Sequence, residues 1–193
     1  MSRTAIIVLV ALGAAFAGFA FSSASDRLRG GDSEVETSVA ADPQTAKLEW
    51  RETYGEPGEQ IVFTVESIEV TERGWRVQLG IQNETSIGYT VGDPFDRAFG
   101  LMLLSSGTLE ELDRLNAERR LPAVRQAASY EPRLPRMLEP GSSWEGAISA
   151  PGALVAGSWV RVVFGALSAV GPRPEGLDER VVWITDHAYR LSS

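Results

Sequence analysis

From Ile61 to Asn83, apolar and polar residues alternate along two arms. The second arm is the cleaner: Trp75, Val77, Leu79 and Ile81 take one side, and Arg76, Gln78, Gly80 and Gln82 the other. A period of two belongs to a strand with one dry face and one wet face. The first arm puts Ile61, Phe63 and Val65 in phase, then Ile68 and Val70 in the opposite phase. Such a flip marks a bulge near Glu66 and Ser67, or a strand passing from one sheet to another. Gly74, free to take the left-handed conformation, is expected to close a short antiparallel hairpin between the arms.

The same reading places further strands at Leu48–Tyr54, Ile87–Val91, Phe99–Leu104, Ser143–Ala150 and Ser158–Leu167. In Ser158–Leu167, Val160, Val162 and Phe164 point inward and Arg161 outward; Trp159, out of phase with them, is the tryptophan expected at the surface. Arg180–Thr185 reads as a central strand, and His187–Leu191 closes the chain. Gly92–Asp96 is a tight loop, and Asn83-Glu84-Thr85 a polar turn. That tripeptide also fits the N-glycosylation acceptor pattern, against the plainer reading as an Asx-type turn. About eight short strands at this spacing predict an all-β, two-sheet sandwich.

One helix interrupts the strands. Thr108-Leu-Glu-Glu111 is a capping box, Leu109, Leu112 and Leu115 form an apolar stripe, and Glu110 can pair with Arg114. Leu121-Pro122 is expected to end it. The Pro-rich stretch that follows carries Arg125, Arg133 and Arg136, so residues 105–140 form a long insert. Inserts of this length in a compact domain are functional or disordered. The plain expectation is that the leucine stripe docks on the sandwich. The functional one is a partner-binding surface that uses Leu109, Leu112, Arg133 and Arg136, with Trp159 as the exposed aromatic.

Ahead of the sandwich, Ala5–Phe21 is a run of 17 residues without a charge. This is an export segment, either a signal peptide cut after Ala24 or an uncleaved membrane anchor. Both readings place the globular part outside the cytoplasm, as a single-pass membrane protein with its N-terminus inside or as a secreted one. Ser22–Thr45 is small, polar and acidic, and reads as a tether of about 25 Å mean reach. The chain divides into a signal or anchor at 1–24, an acidic linker at 25–46 and the sandwich at 47–193.

Composition narrows the chemistry. With 44% hydrophobic residues the chain can build a core. A net charge of -8 argues against nucleic acid as a partner. There is no cysteine, which excludes disulfides, thiolate catalysis and a lipidated-cysteine anchor. Lys47 is the sole lysine and His187 the sole histidine. His187 lacks a Gly-x-Ser-x-Gly elbow to serve, and Asp186 next to it would point to the opposite face of a strand. Asp93 with Asp96, or Asp178 with Glu179, supplies too few oxygens for calcium, and zinc has no ligand set. No catalytic residue, metal site or cofactor is therefore assigned.

The runs Phe63-Thr-Val-Glu-Ser-Ile-Glu-Val70 and Gly74-Trp-Arg-Val-Gln-Leu-Gly-Ile-Gln-Asn-Glu-Thr85 resemble the second and third strands of immunoglobulin-like extracytoplasmic domains of bacterial exported proteins. Leu138-Glu-Pro-Gly-Ser-Ser-Trp-Glu-Gly146 resembles the later Pro-Gly turn of the same domains. The helical insert is not typical of them. The resemblance implies an immunoglobulin-like sandwich engaged in adhesion, assembly or ligand binding. The expected function is a non-enzymatic, exported, membrane-tethered sandwich that binds a protein partner or cell-envelope component. The alternatives are a carboxylate-dependent envelope hydrolase and a glycan- or ligand-sensing module.

Overall fold

A computed structural model describes residues 39–92 and 99–193. The export segment at 5–21, most of the linker and the loop with Asp93 and Asp96 lie outside the described residues. Among the described residues no helix is long and apolar enough to cross a membrane.

The described chain is twelve strands and one helix: β1 (Gln44–Glu56), β2 (Glu59–Thr71), β3 (Gly74–Asn83), β4 (Gly88–Val91), β5 (Phe99–Leu104), α1 (Leu109–Ala117), β6 (Arg125–Gln126), β7 (Ser129–Glu131), β8 (Met137–Leu138), β9 (Ser143–Pro151), β10 (Trp159–Val170), β11 (Arg180–Ile184) and β12 (Tyr189–Arg190). They form two antiparallel sheets. The first runs β1-β2-β3-β9-β7, and the second β6-β5-β10-β4-β8 with β11 and β12 also on β10. The first strand, β1, begins at Gln44, and Ala40 and Ala41 just ahead of it already bond to Val155 and Leu154.

The hairpin of β2 and β3 forms as its alternation requires, with Trp75, Val77, Leu79 and Ile81 all buried. The phase flip is a bulge: the β2–β3 register shifts between Val65 and Ser67, and the strand stays in one sheet. Gly74 does not take the left-handed conformation. It is required by a close approach, since a Cβ there would stand 2.4 Å from the carbonyl oxygen of Ala150 on β9.

β10 is the spine of the second sheet. One edge takes β5 over Trp159–Phe164 and then β4 over Leu167–Val170; the other takes β12 and then β11. β11, expected to be central, pairs with β10 alone and lies at the edge. The core between the sheets centres on Phe63, whose ring lies 4.9 Å from Phe164 and stacks at 5.4 Å on Trp183. Each such side chain contributes about 1.5–3 kcal/mol through burial.

A second apolar cluster lies on the outer face of the second sheet. Met102, Leu104, Val163 and Ile184 are buried there against Leu112 of α1. With both faces covered, β5 and β10 read as apolar almost throughout. The leucine stripe therefore docks on the sandwich. Gly107 permits it, because a Cβ there would lie 2.4 Å from the Trp159 ring.

The helix keeps half of its capping box. Thr108 Oγ1 accepts from the Glu111 amide at 3.4 Å, but the Glu111 carboxylate turns to Arg114 at 2.8 Å. Arg114 also holds Glu118 four residues on, so Glu110 is not its partner. These contacts hold both carboxyls below the usual range. The helix stops at Ala117, before Leu121-Pro122, where Arg119 takes a left-handed φ of 56°. Residues 105–140 are woven into the fold rather than inserted beside it. β6 joins β5 in the second sheet, β7 joins β9 in the first, and β8 returns to β4 in the second.

Candidate functional site

Two places on the molecule hold side chains beyond what the two sheets need. The first is the seam where β1 faces the loop between β11 and β12. Glu52 points inward from β1, and its side chain is 7% exposed. Its carboxylate accepts four bonds. Oε2 takes Trp183 Nε1 at 2.7 Å and the Asp186 amide at 2.9 Å. Oε1 takes the His187 amide at 3.1 Å and His187 Nδ1 at 2.7 Å. An ionised carboxylate only accepts, so the neutral imidazole carries its proton on Nδ1. Trp50 stacks on the ring at 5.6 Å.

The opposite side of the same loop is held by a cation. Arg161 lies on the outer face of β10, as its phase requires, yet it is fully buried because α1 covers that face. Its Nη1 donates to the Thr185 and Asp186 carbonyls at 2.5 and 2.6 Å. Nη2 donates to the Gly107 and Thr108 carbonyls at 2.8 and 3.2 Å, which ties the loop to the start of the helix. Burial pushes the guanidinium below its ordinary value. The loop is thus gripped by an anion on its N–H groups and a cation on its C=O groups.

The seam presents one oriented imidazole, 56% exposed. Its carboxylate partner is Glu52, 135 residues away, and not the neighbouring Asp186. Among the described residues the ring bonds to Glu52 alone, so no hydroxyl stands ready to be activated by it. Glu52 has its acceptor sites filled by this chain's own donors. Among the described residues no group of three or more His, Cys, Asp or Glu side chains is placed to hold a metal. Asp178 is engaged elsewhere, accepting from Tyr54 OH at 2.6 Å. Burial, and then donation to Asp178, raises the Tyr54 phenol.

The second place is an open cleft of about 610 Å³ at the end of the sandwich where β10 finishes. Met137 of β8 and Val170 of β10 form apolar walls on the outer face of the second sheet. They are 36% and 44% exposed, and α1 covers only the other half of this face. Gly88 of β4 lies between them. Glu139 and Arg173 bring one charge of each sign to the rim.

Below the cleft, Asn83 fixes the turn. Its Oδ1 accepts from the Thr85 amide and hydroxyl at 3.0 and 2.7 Å, and its Nδ2 donates to the Ile87 and Leu138 carbonyls at 2.8 and 3.0 Å. The side chain is fully buried. This is the Asx-type turn, and the glycosylation reading falls because the amide nitrogen is inaccessible and already committed.

Of the residues singled out for partner binding, Leu112 is buried on the face of α1 that packs on the sheet, and Leu109 and Trp159 are half-buried in the same cluster. Trp159 faces outward, but outward here means against the helix. Arg133 and Arg136 are exposed, and Arg136 adjoins Met137 at the cleft. No direct signal in the sequence points to Glu52 or the cleft; an acidic residue in the phase of Leu48, Trp50 and Tyr54 on β1 is the available hint for the former. Compared with protein-family models, curated proteins and solved structures, the chain finds no match.

Proposed function

We propose that this chain is a non-enzymatic, exported β-sandwich, tethered to the membrane through residues 5–21, that binds a protein partner. The immunoglobulin-like assignment belongs to the same proposal. The observation that carries it is the pairing of Met137 and Val170. Both are large apolar side chains left exposed, and both face one cleft on an otherwise covered sheet face. Exposed apolar side chains gathered at a cleft mark a contact surface, whereas scattered ones do not. The seam supports the same reading, because its polar groups are spent on holding a loop. Trp75 and Trp144 are buried and Trp50, Trp159 and Trp183 half-buried, which favours a protein contact at the cleft over a tryptophan-lined glycan platform.

The test is photo-cross-linking in the native cell, with the full chain carrying a photoreactive residue at Met137 or, as control, at the exposed Glu66 on β2. A discrete protein adduct at 137 and none at 66 is expected. Equal labelling at the two positions, or no adduct at either, would count against the proposal.

A further inference from the structure

The wall of the cleft formed by Pro172, Arg173 and Pro174 belongs to the connection between β10 and β11. The Ala169 amide closes the base of this connection on the Glu179 carbonyl at 2.8 Å. On one side Val170 is held in the ladder with Gly88. On the other, Leu177 is buried and Asp178 bonds to Tyr54 OH. Between these anchors, residues 171–176 take part in a single backbone hydrogen bond among the described residues, from the Leu177 amide to the Pro174 carbonyl at 3.4 Å. Gly171 and Gly176 stand at the two ends, both with a φ of 88°. A Cβ at Gly171 would meet nothing within 4 Å, and one at Gly176 only Glu56 Cγ at 4.0 Å. Packing therefore holds neither glycine in place. Both are free to turn, while the rings of Pro172 and Pro174 fix φ between them. A stiff segment between two such hinges has the build of a lid.

We infer that residues 171–176 are a hinged strap that swings over the cleft, lays Pro172 and Pro174 on Met137 and Val170, and pairs Arg173 with Glu139. Charge gives the swing its direction. Arg173 Nη1 donates to the Leu177 carbonyl at 3.1 Å, and its other N–H groups have no partner among the described residues. The Glu139 carboxylate is likewise unpaired there. The two stand on opposite rims, because β4 lies between β10, which leads into the strap, and β8, which leads to Glu139. Gly88 of β4 leaves room for the strap to settle. A Cβ there would meet nothing nearer than 3.6 Å, so the floor of the cleft carries no side chain at that point. Closure pairs two free charges and takes two exposed apolar side chains out of water. Those side chains are the ones the partner-binding reading uses, so a partner has to displace the strap. That gating role rests on the partner reading; the closure itself does not.

The test reads the exposure of Met137 in the full-length chain through its oxidation by hydrogen peroxide, followed by mass spectrometry of peptides. The thioether takes up one oxygen to become the sulfoxide, and the peroxide leaves as water. Peroxide is uncharged, so the rim charges do not steer it. Met102, buried beneath α1, reports any general opening. The rate is compared in wild type, Arg173→Glu, Glu139→Arg and the double reversal. Each single variant should oxidise Met137 roughly two- to fivefold faster than wild type, the shift that one exposed ion pair gives an equilibrium. The double reversal should return to the wild-type rate, with Met102 unchanged throughout. Equal rates in all four proteins, or a double reversal as fast as the single variants, would overturn the strap. If a single variant unfolds, wild type decides alone. Its Met137 rate should rise towards that of an open strap in about 1 M sodium chloride, and a rate indifferent to salt would overturn closure. The oxidation assay needs no partner and the photo-cross-link at residue 137 needs no strap, so the two proposals fail separately.

Discussion

Replacing Glu52 by Gln probes the seam with almost no change of shape. Glu52 faces four donors, two on each oxygen. Gln offers one acceptor oxygen and one NH2 group. If the NH2 took the Oε2 position, it would confront the Trp183 indole N–H and the Asp186 amide, and neither can become an acceptor. At the Oε1 position it confronts the His187 amide and His187 Nδ1, and an imidazole nitrogen can become an acceptor by moving its proton. The second orientation therefore wins. One hydrogen bond is lost, from the His187 amide, and three lose their charge assistance. Bonds to charged groups contribute about 1.5–3 kcal/mol each and neutral ones about 0.5–1.5. The lower desolvation cost of an amide offsets part of the loss, leaving about 2–4 kcal/mol of destabilisation. For a domain of this size that lowers the unfolding temperature by about 5–15 °C. The sharper readout is the tautomer. Because His187 is the only histidine, 15N spectra at about pH 8 report it alone. Wild type should show the proton on Nδ1 and Glu52→Gln the proton on Nε2. An unchanged tautomer, or a stability within about 0.5 kcal/mol of wild type, would refute this account of the seam.

Further outcomes follow from neighbouring groups. Arg161→Met keeps the volume but leaves the Thr185 carbonyl buried without its donor; a loss of about 2–4 kcal/mol is expected, with faster hydrogen exchange at the amides of Asp186, His187 and early α1. Unchanged exchange in both segments would show that Arg161 does not tie them. Tyr89 is fully buried, its hydroxyl has no partner among the described residues, and burial followed by the charge of Glu59 pushes its phenol up to about 12. With the folded value raised, its contribution is fully present below the ordinary tyrosine value of about 10 and is lost as pH rises towards 12. Tyr89→Phe should therefore flatten the alkaline fall in unfolding free energy and leave stability at about pH 8 equal or up to about 1 kcal/mol higher; a loss above about 1 kcal/mol there would reveal a bond to the hydroxyl. Asn83→Asp should cost about 3–5 kcal/mol in urea unfolding, because a carboxylate would face the Ile87 and Leu138 carbonyls in a buried site. A neutral result would mean that the turn opens to water.

What the sequence determined by itself was local. The alternation over Ile61–Asn83 specified the central hairpin, and the phase flip specified an irregularity at Glu66 and Ser67 that the sheet order resolved as a bulge, because side-chain period and strand geometry are the same fact. Thr108 and the leucine stripe specified the helix and its apolar face, since both act within a turn or two. What the tertiary structure alone decided was where each face ended up. Arg161 and Trp159 were in the outward phase of β10, and only the docking of α1 made that side an interior. Glu52 looked like one acid among 26 until the fold carried the loop of His187 to it from the far end of the chain. The cleft over Gly88 likewise draws on β4, β8 and β10, brought together by a segment that crosses between the sheets and returns. Periodicity records which residues share a face; what covers that face depends on contacts between residues far apart in sequence, and no local pattern encodes them.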